Sequence, residues 1–543
     1  MTERALDATA PDGRTPGEPG AGPSALRLRP AASGPAPLES GMPPAPPAAT
    51  VTVADPERAL VRQADGIHRT GPGQPPPSGR WPGVPDLPHA WHARPWFLLL
   101  LGVVPLTGFA AWGAAHVVAV VRDVGGEAAG LMTVPWLASF LLLWWVPLAW
   151  LERPRSPRQQ QGTDVDALTV TVQIPVYNED PAALRACLHS VLVQSRPVNR
   201  VRVVDDGSVH SDGTPMTYDD VRGELERRAA ARGIEVTWDR TANRGKRHAQ
   251  MHVLAHDDAD IFVTLDSDSV LDLHAVAEGI KPFTDPKVQS VAGQVIVLNH
   301  DANLLTRLIC LLYLPFTRGL RAAQSVLRRV TINSGTLAFY RAPLVRQAAG
   351  AYENEQFRDR PMQMNDDSML TFYALLAGDT VHQPSALVFT LAPQRWPHYL
   401  RQQMRWMRGT TVRHLWWLRY MPLTGIVFWT TVAEYLHIVL GAAIPLALAL
   451  HPDYRHHLDT VAALGALITL VMSYLMALRL FTVGRTDMRT HQTLLLFAAA
   501  PLATLWRALF LRPLYLYAMA TCHRINRWGT RSDVEVNLQT TPH

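Results

Sequence analysis

The stretch Val201-Arg202-Val203-Val204-Asp205-Asp206-Gly207-Ser208 is a short β-branched run that ends in two carboxylates and a turn. Branched side chains suit a pleated strand, and Gly-Ser stops it. The same design recurs at Ile261–Leu265, closed by Asp266-Ser267-Asp268, and further apolar runs lie at Thr169–Val176 and Gln289–Val297. Helical patterns separate them, for example Leu184, Leu188, Val191 and Leu192 at i, i+4, i+7 and i+8, with Asp180-Pro181 as cap and first-turn proline. This alternation predicts an α/β domain over 165–390 with a largely parallel sheet. Ligands of such sheets gather at the carboxyl ends of the strands, so both acidic pairs are expected to face one crevice.

On either side of this domain the composition changes. Residues 1–90 are rich in Pro, Ala and Gly, with runs such as Pro43-Pro44-Ala45-Pro46-Pro47, and predict a disordered tail with too little apolar surface to order itself. Over 95–151, Trp96–Val121 and Ala128–Leu151 carry no charge, and each exceeds the ~20 residues that cross a bilayer. Two transmembrane helices are expected there. Arg153, Arg155 and Arg158 follow the second run, which puts the tail and residue 152 onward in the cytoplasm by the positive-inside rule. In 422–520, Thr424–Leu450 and Thr460–Leu478 are long enough to span. Thr493–Ala520 contains Arg507 and Arg512, and reads as a re-entrant or interfacial segment returning the 521–543 tail to the cytoplasm. The protein is thus expected to be a multi-pass cell-membrane protein with its catalytic domain inside.

The 543 residues carry a net charge of +5, but the arginines cluster beside apolar runs. That pattern points to lipid headgroups or a phosphate-bearing substrate and away from nucleic acid. The three cysteines, Cys187, Cys310 and Cys522, have no CxxC spacing, which excludes a disulfide framework and a cysteine-based zinc site.

Carboxylates one residue apart on a loop, as in Asp266-Ser267-Asp268, suit a hard divalent cation, Mg²⁺ or Mn²⁺, shared with a diphosphate. Between the two acidic strand ends, Asn243-Arg244-Gly245-Lys246-Arg247 is a cationic loop whose Lys246 and Arg247 are placed to hold a pyrophosphate. A third acidic site, Asn365-Asp366-Asp367-Ser368, opens a helical run and offers either a helix cap or a general base. Over 391–421, Tyr399–Trp406 joins arginine to indole in an amphipathic stretch that ends in Trp416-Trp417 and reads as an interface helix.

Taken in order, VQIPVYNED, VVDDGS, NRGKR, DSD, the late acidic pair and QQMRW resemble the motif set of processive, membrane-embedded family 2 glycosyltransferases, which include cellulose, chitin and hyaluronan synthases. Arg321-Ala322-Ala323-Gln324-Ser325, Asn333-Ser334-Gly335, Leu400–Trp406 and Trp528-Gly529-Thr530-Arg531 look most like hyaluronan synthases. The resemblance implies a nucleotide-sugar domain of GT-A type between membrane helices. It implies that Tyr177, Asp205 and Asp206 contact the nucleotide sugar and Lys246 the diphosphate. Asp266 would bind nucleotide and metal, Asp268 the metal, and Asp367 would be the base. Gln402, Arg405 and Trp406 would hold the acceptor end and leaving diphosphate, and Trp528 and Arg531 would close over the nucleotide. The implied partners are UDP-GlcNAc, UDP-GlcA, a growing polysaccharide and the bilayer. Two departures concern the acceptor side: hyaluronan synthases usually read GDDR where this chain has Asn365-Asp366-Asp367-Ser368, and a proline commonly follows the Ser-Gly where this chain has Thr336.

The expected activity is inverting, processive polymerisation of UDP-sugars with export of a hyaluronan-type product. A chitin-type or cellulose-like polymer and a non-processive lipid-carrier transferase are the enzyme alternatives. A degenerate sensor or transporter is the non-enzyme one.

Overall fold

The structure, a computed structural model, describes residues 87–93, 97, 102–125, 144–156, 164–362, 364–452 and 458–524. The expected tail up to residue 86, most of the expected second membrane helix, and Trp528 and Arg531 lie outside the described residues.

Strand β1 (Ala90–His92) is followed by helices α1 (Val104–Gly125) and α2 (Trp145–Ala149). The α/β domain opens with β2 (Val170–Val176), α3 (Pro181–Leu192), β3 (Arg200–Asp205), α4 (Asp219–Ala230), β4 (Glu235–Arg240), α5 (Lys246–Leu254) and β5 (Ile261–Leu265). It continues through β6 (Ser269–Leu271), α6 (Ala275–Ile280), β7 (Val288–Val297), α7 (Leu304–Leu314), α8 (Arg321–Val326), β8 (Leu337–Arg341) and α9 (Ala342–Glu353). A small hairpin, β9 (Gln356–Phe357) and β10 (Arg360–Pro361), leads into α10 (Asp366–Ala377) and β11 (Asp379–Thr390). Beyond the domain lie α11 (Trp396–Tyr420), α12 (Ile426–Leu450), α13 (Leu458–Ala477), β12 (Val483–Arg485), α14 (Thr490–Ala498), α15 (Ala500–Trp506) and α16 (Arg512–Ala520).

Eight strands form one sheet in the order β4-β3-β2-β5-β8-β7-β11-β6. The first four are mutually parallel, β8 runs against both β5 and β7, β11 follows β7, and β6 is reversed at the edge. The sheet is therefore mixed, with most strands parallel. Its inner strands read as unbroken apolar runs because both faces are covered. Val170, Val172, Ile174, Val201, Val203, Ile261 and Val263 are fully buried, each stabilising the fold by ~1.5–3 kcal/mol. Helix α3 starts as its sequence predicts: Asp180 accepts from the Ala182 N–H at 3.3 Å and Pro181 takes the first turn.

Among the described residues one helical segment, Gly465–Thr482, is long and apolar enough to cross a membrane. Thr490–Ala498 and Ala500–Ala520 pass the same test only together and meet at 43°, and Ile426–Gly441 is a shorter apolar helix. The bend falls at the segment expected to be re-entrant. Helix α1 packs along α13 and exposes Val104, Phe109 and Trp112.

Candidate active site

Strand register brings the acidic loops to one edge. β3, β2 and β5 are neighbours, with Val176 opposite Asp205 and Gln173 opposite Thr264. Tyr177, Asp205-Asp206 and Asp266-Ser267-Asp268 therefore leave the sheet together. The reversal of β8 adds a fourth loop: Leu337 lies opposite Leu265, so the Ser334-Gly335 turn arrives where Asp266 departs. A parallel β8 would have placed that turn at the far edge of the sheet.

Asp205 is fixed by its own loop and by the neighbouring strand β4, accepting from the Ser208 N–H at 2.8 Å and from Arg240 Nη1 at 2.9 Å. Gly207 has φ +72°, and an added Cβ there would lie 2.9 Å from the backbone nitrogen of Asn243. Asp206 reaches across that close approach. Its Oδ1 accepts the Arg244 N–H at 3.0 Å and its Oδ2 the Gly245 N–H at 2.8 Å. Burial pushes the Asp206 carboxyl above its ordinary value, and these N–H bonds oppose the push. Asp206 thus ties the end of β3 to the cationic loop and sets Lys246 as the first residue of α5. Tyr177 is half-buried beside this turn.

Lys246 points into the site. Its Nζ lies 2.8 Å from Asp266 Oδ1 and 2.9 Å from Asp366 Oδ2. Burial alone would favour the neutral amine, but the two carboxylates overcome it and keep Lys246 charged well above the usual lysine range. The approach needs Gly335, where an added Cβ would sit 2.9 Å from Nζ. Arg247 points elsewhere. It donates to the carbonyls of Tyr352 at 3.0 Å and Met364 at 2.9 Å and pairs with the buried Glu355. The expectation that Arg247 holds a pyrophosphate is therefore corrected: its guanidinium is consumed in fixing α5 to the segment before α10.

In the first turn of α10, Asp366 is buried and Asp367 half-buried. For Asp366 burial works upward, but the charge and hydrogen bond of Lys246, helped by Arg247, hold the carboxyl below its ordinary value. Asp367 goes the other way. Burial first, then the adjacent Asp366, push it up to about 6, against Lys246 and the N–H groups of Ser368 at 2.7 Å and Gly335 at 3.2 Å. Neither carboxylate caps the helix; the capping position is Asn365, without a side-chain cap bond. Arg321 donates to Ser334 Oγ at 2.8 Å and so braces the turn that bonds Asp367.

Asn365 has φ +53°, a left-handed conformation that asparagine tolerates better than most side chains. It stands where the resembling family usually has glycine. Its Nδ2 donates to the Trp406 carbonyl at 3.3 Å, and Gly409 leaves it room, since a Cβ at Gly409 would fall 2.3 Å from Asn365 Cγ. Below this contact Arg413 of α11 is fully buried, bonded to Glu355 at 2.9 Å and to Ser368 Oγ at 3.3 Å. Helix α11, which carries Gln402, Arg405 and Trp406, is thereby tied to the acidic pair. Gln402 and Arg405 are half-buried, Trp406 is exposed, and the Trp406 ring lies 6.2 Å from that of Tyr313.

Asp268 is half-buried, and its Oδ1 accepts from Ser269 Oγ at 3.1 Å. Among the described residues no group of three or more His, Cys, Asp and Glu side chains is arranged to hold a metal. Sequence reasoning missed the roles of Gly335, Asn365, Glu355 and Arg413. For Asn365 a signal existed: an Asn directly before a helix-opening acidic pair is a candidate for positive φ.

Comparison with known proteins places these residues in a family. The model of glycosyl transferase family 2 matches residues 171–348, and that of glycosyl transferase family group 2 matches residues 261–523. A hyaluronan synthase of Streptococcus pyogenes serotype M1 is 30% identical over 368 residues, covering 68% of this chain and 84% of the relative. The chain belongs to the family 2 glycosyltransferases and is related to hyaluronan synthases. An N-acetylglucosaminyltransferase of Rhizobium meliloti is 35% identical over 243 residues, covering 44% of this chain and 55% of the relative. A mannosyltransferase from Pyrobaculum calidifontis, solved with GDP-Man and Mn²⁺, has a TM-score of 0.43 at 21% identity, covering 71% of this chain and 99% of that one.

Proposed function

We propose that this glycosyltransferase is a processive, inverting enzyme of GT-A type that polymerises UDP-sugars into a hyaluronan-type chain at the cytoplasmic face of the cell membrane and passes it outward. The observation that carries the reading is the Lys246 site, where one buried ammonium separates Asp266 at the donor side from Asp366, next to a carboxyl, Asp367, pushed up to about 6.

In this reading Asp367 takes the proton from the acceptor hydroxyl as that oxygen attacks the anomeric carbon, and UDP leaves from the opposite face. A base that titrates near 6 is ionised at cytoplasmic pH yet basic enough to receive the proton. Lys246 keeps Asp366 ionised and directs its remaining N–H at the diphosphate. Tyr177, Asp205 and Asp206 form the nucleotide side of the crevice, and Gln402, Arg405 and Trp406 hold the acceptor end. Asp266 and Asp268 suit a Mg²⁺ or Mn²⁺ ion that also binds substrate phosphates, a mode that needs only one or two protein carboxylates. Asp266 fits this, because Lys246 takes its Oδ1 while a third of its side chain stays exposed. Such an ion would neutralise charge on the departing UDP. Trp528 and Arg531 are proposed to close over the nucleotide. Exposed Leu446, Leu450, Leu495, Leu509 and Phe510 on the C-terminal helices support membrane embedding.

The N-acetylglucosaminyltransferase relatives favour a second reading, a product built from GlcNAc alone. Radiolabel incorporation from UDP-GlcNAc with and without UDP-GlcA, followed by digestion with polymer-specific hydrolases, separates the two. Dependence on both donors is the expected result. Polymer from UDP-GlcNAc alone would replace the hyaluronan-type product with a chitin-type one, and release of only lipid-linked monosaccharide would remove processivity.

A further inference from the structure

Glu355, buried just ahead of the β9–β10 hairpin, lies between two arginines that come from different helices. Arg247, beside Lys246 on α5, pairs with its Oε2. Arg413 of α11 grips the same carboxylate with a two-pronged fork, Nη1 to Oε1 at 2.9 Å and Nη2 to Oε2 at 3.3 Å. Both guanidinium groups are buried with it. One carboxylate thus joins the helix that presents Lys246 to the helix that carries Gln402, Arg405 and Trp406. A bidentate fork fixes direction as well as distance, and the exclusion of water strengthens each bond.

The two arginines do not depend on Glu355 equally. Arg247 also has two backbone acceptors, the carbonyls of Tyr352 and Met364 at 3.0 and 2.9 Å, and its guanidinium lies over the Tyr352 ring. Asp206 holds the start of α5 a second time, through the Gly245 N–H. Arg413 has less besides Glu355: the Ser368 hydroxyl at 3.3 Å, the Met369 sulfur, and the Trp416 ring on its own helix. Helix α11 as a whole packs chiefly on the C-terminal helices α16 and α12, and only lightly on α10. Its orientation toward the acidic pair therefore leans on the Glu355 fork, with the Asn365 bond to the Trp406 carbonyl as a further link.

We propose that Glu355, acting through Arg413, is the positioning residue that holds the acceptor helix α11 in register with Lys246. Being buried, it works through another side chain and not on the substrate. Its task is to keep the acceptor hydroxyl within reach of the anomeric carbon, so that the sugar goes to the chain and not to water. When α11 is free to shift, water takes the acceptor's place. Its oxygen bonds to the anomeric carbon, its proton passes to Asp367, and the bond to UDP breaks with the electron pair leaving on UDP. Donor binding, built on α5 and its separate ties, survives the change. The proposal rests on the UDP-sugar transfer read above and deepens it, whichever polymer is made.

The test measures sugar incorporated per UDP released by the full chain in phosphatidylcholine nanodiscs, with labelled UDP-GlcNAc and UDP-GlcA, beside calorimetric UDP binding. In wild type UDP release should match incorporation. Arg413→Gln frees α11 but leaves Arg247 and Glu355 as a pair, which spares the fold an unpaired buried carboxylate. Incorporation per UDP should then fall at least about threefold, with donor KM and UDP affinity within about twofold of wild type. Glu355→Gln should lower the ratio as much, and the double variant no further, because both act through one bond. Arg413→Lys keeps the charge but not the fork; it should lower the ratio too, and it decides the matter if the Gln variants do not fold. An unchanged ratio in the folded variants overturns the proposal even where total activity falls, since a purely structural role slows both processes together. An additive loss in the double variant, or UDP affinity that falls in step with the ratio, overturns it as well. Failure of the underlying reading shows separately and before any substitution, as wild type that makes no polymer from either donor or both, and it takes the proposal with it.

Discussion

The chain holds two Asp-Asp doublets at loop ends, Asp205-Asp206 and Asp366-Asp367, and the fold treats them in opposite ways. Asp205 and Asp206 are answered almost wholly by hydrogen bonds that hold loops together: the Ser208 N–H, Arg240 of β4, and the N–H groups of the cationic loop. Their carboxylates hold a crevice wall in shape. Asp366 and Asp367 meet a buried ammonium, Lys246, and the Gly335 N–H, and meet them unequally, so that one carboxyl stays low and the other rises to about 6. A doublet becomes a candidate acid–base group when its two members see different fields, and that difference is made by tertiary packing.

Several substitutions break or sharpen this contrast. The largest effect is expected from Asp367→Asn, which removes the proposed base and should lower kcat by about 10²–10⁴-fold with UDP binding preserved; steady-state rates beside calorimetric UDP titration check it. Lys246→Met leaves Asp266 and Asp366 facing each other with their shared cation gone. The cost to folding should be about 3–5 kcal/mol, the range for breaking a buried ion pair, read by denaturant unfolding. Gly409→Ala drives a methyl group into Asn365. It should destabilise by about 1–3 kcal/mol and displace the acidic pair from α11, lowering kcat more than it raises KM. Asp206→Asn is expected to be the mildest. It weakens the link to the cationic loop by about 1 kcal/mol and shows mainly as a higher KM for the donor.

The parallel part of the fold was legible because it is written in local patterns. Val201–Val204 and Ile261–Leu265 form strands whose acidic ends meet at one edge, and Asp180-Pro181 opens its helix. The reversal of β8 was not legible: Leu337–Arg341 is a short apolar strand whose direction is set by its partners on both sides. That reversal carries Gly335 to Lys246 and Asp367, so part of the site was hidden with it. Arg247 was misread for a related reason. Next to Lys246 in sequence it looks like a second phosphate ligand, but on a helix adjacent residues point about 100° apart, and Arg247 meets Glu355 inside the protein. Of the apolar runs expected to cross the membrane, one falls on the segment long and apolar enough to do so, Gly465–Thr482, while the bend between Ala498 and Ala500 depends on packing that a hydropathy pattern does not encode.

The central claim is that burial raises the proton affinity of Asp367 and that Asp366 raises it further against Lys246. The most direct measurement is the pH dependence of kcat/KM for wild type and for Asp366→Asn. Because the deprotonated carboxylate is the active form, wild-type activity should climb with pH through an inflection near 6 and be lost below it. Neutralising Asp366 removes the charge that raises Asp367, so the inflection should move to lower pH by about one unit. An inflection that stays in place, or moves upward, would contradict the account.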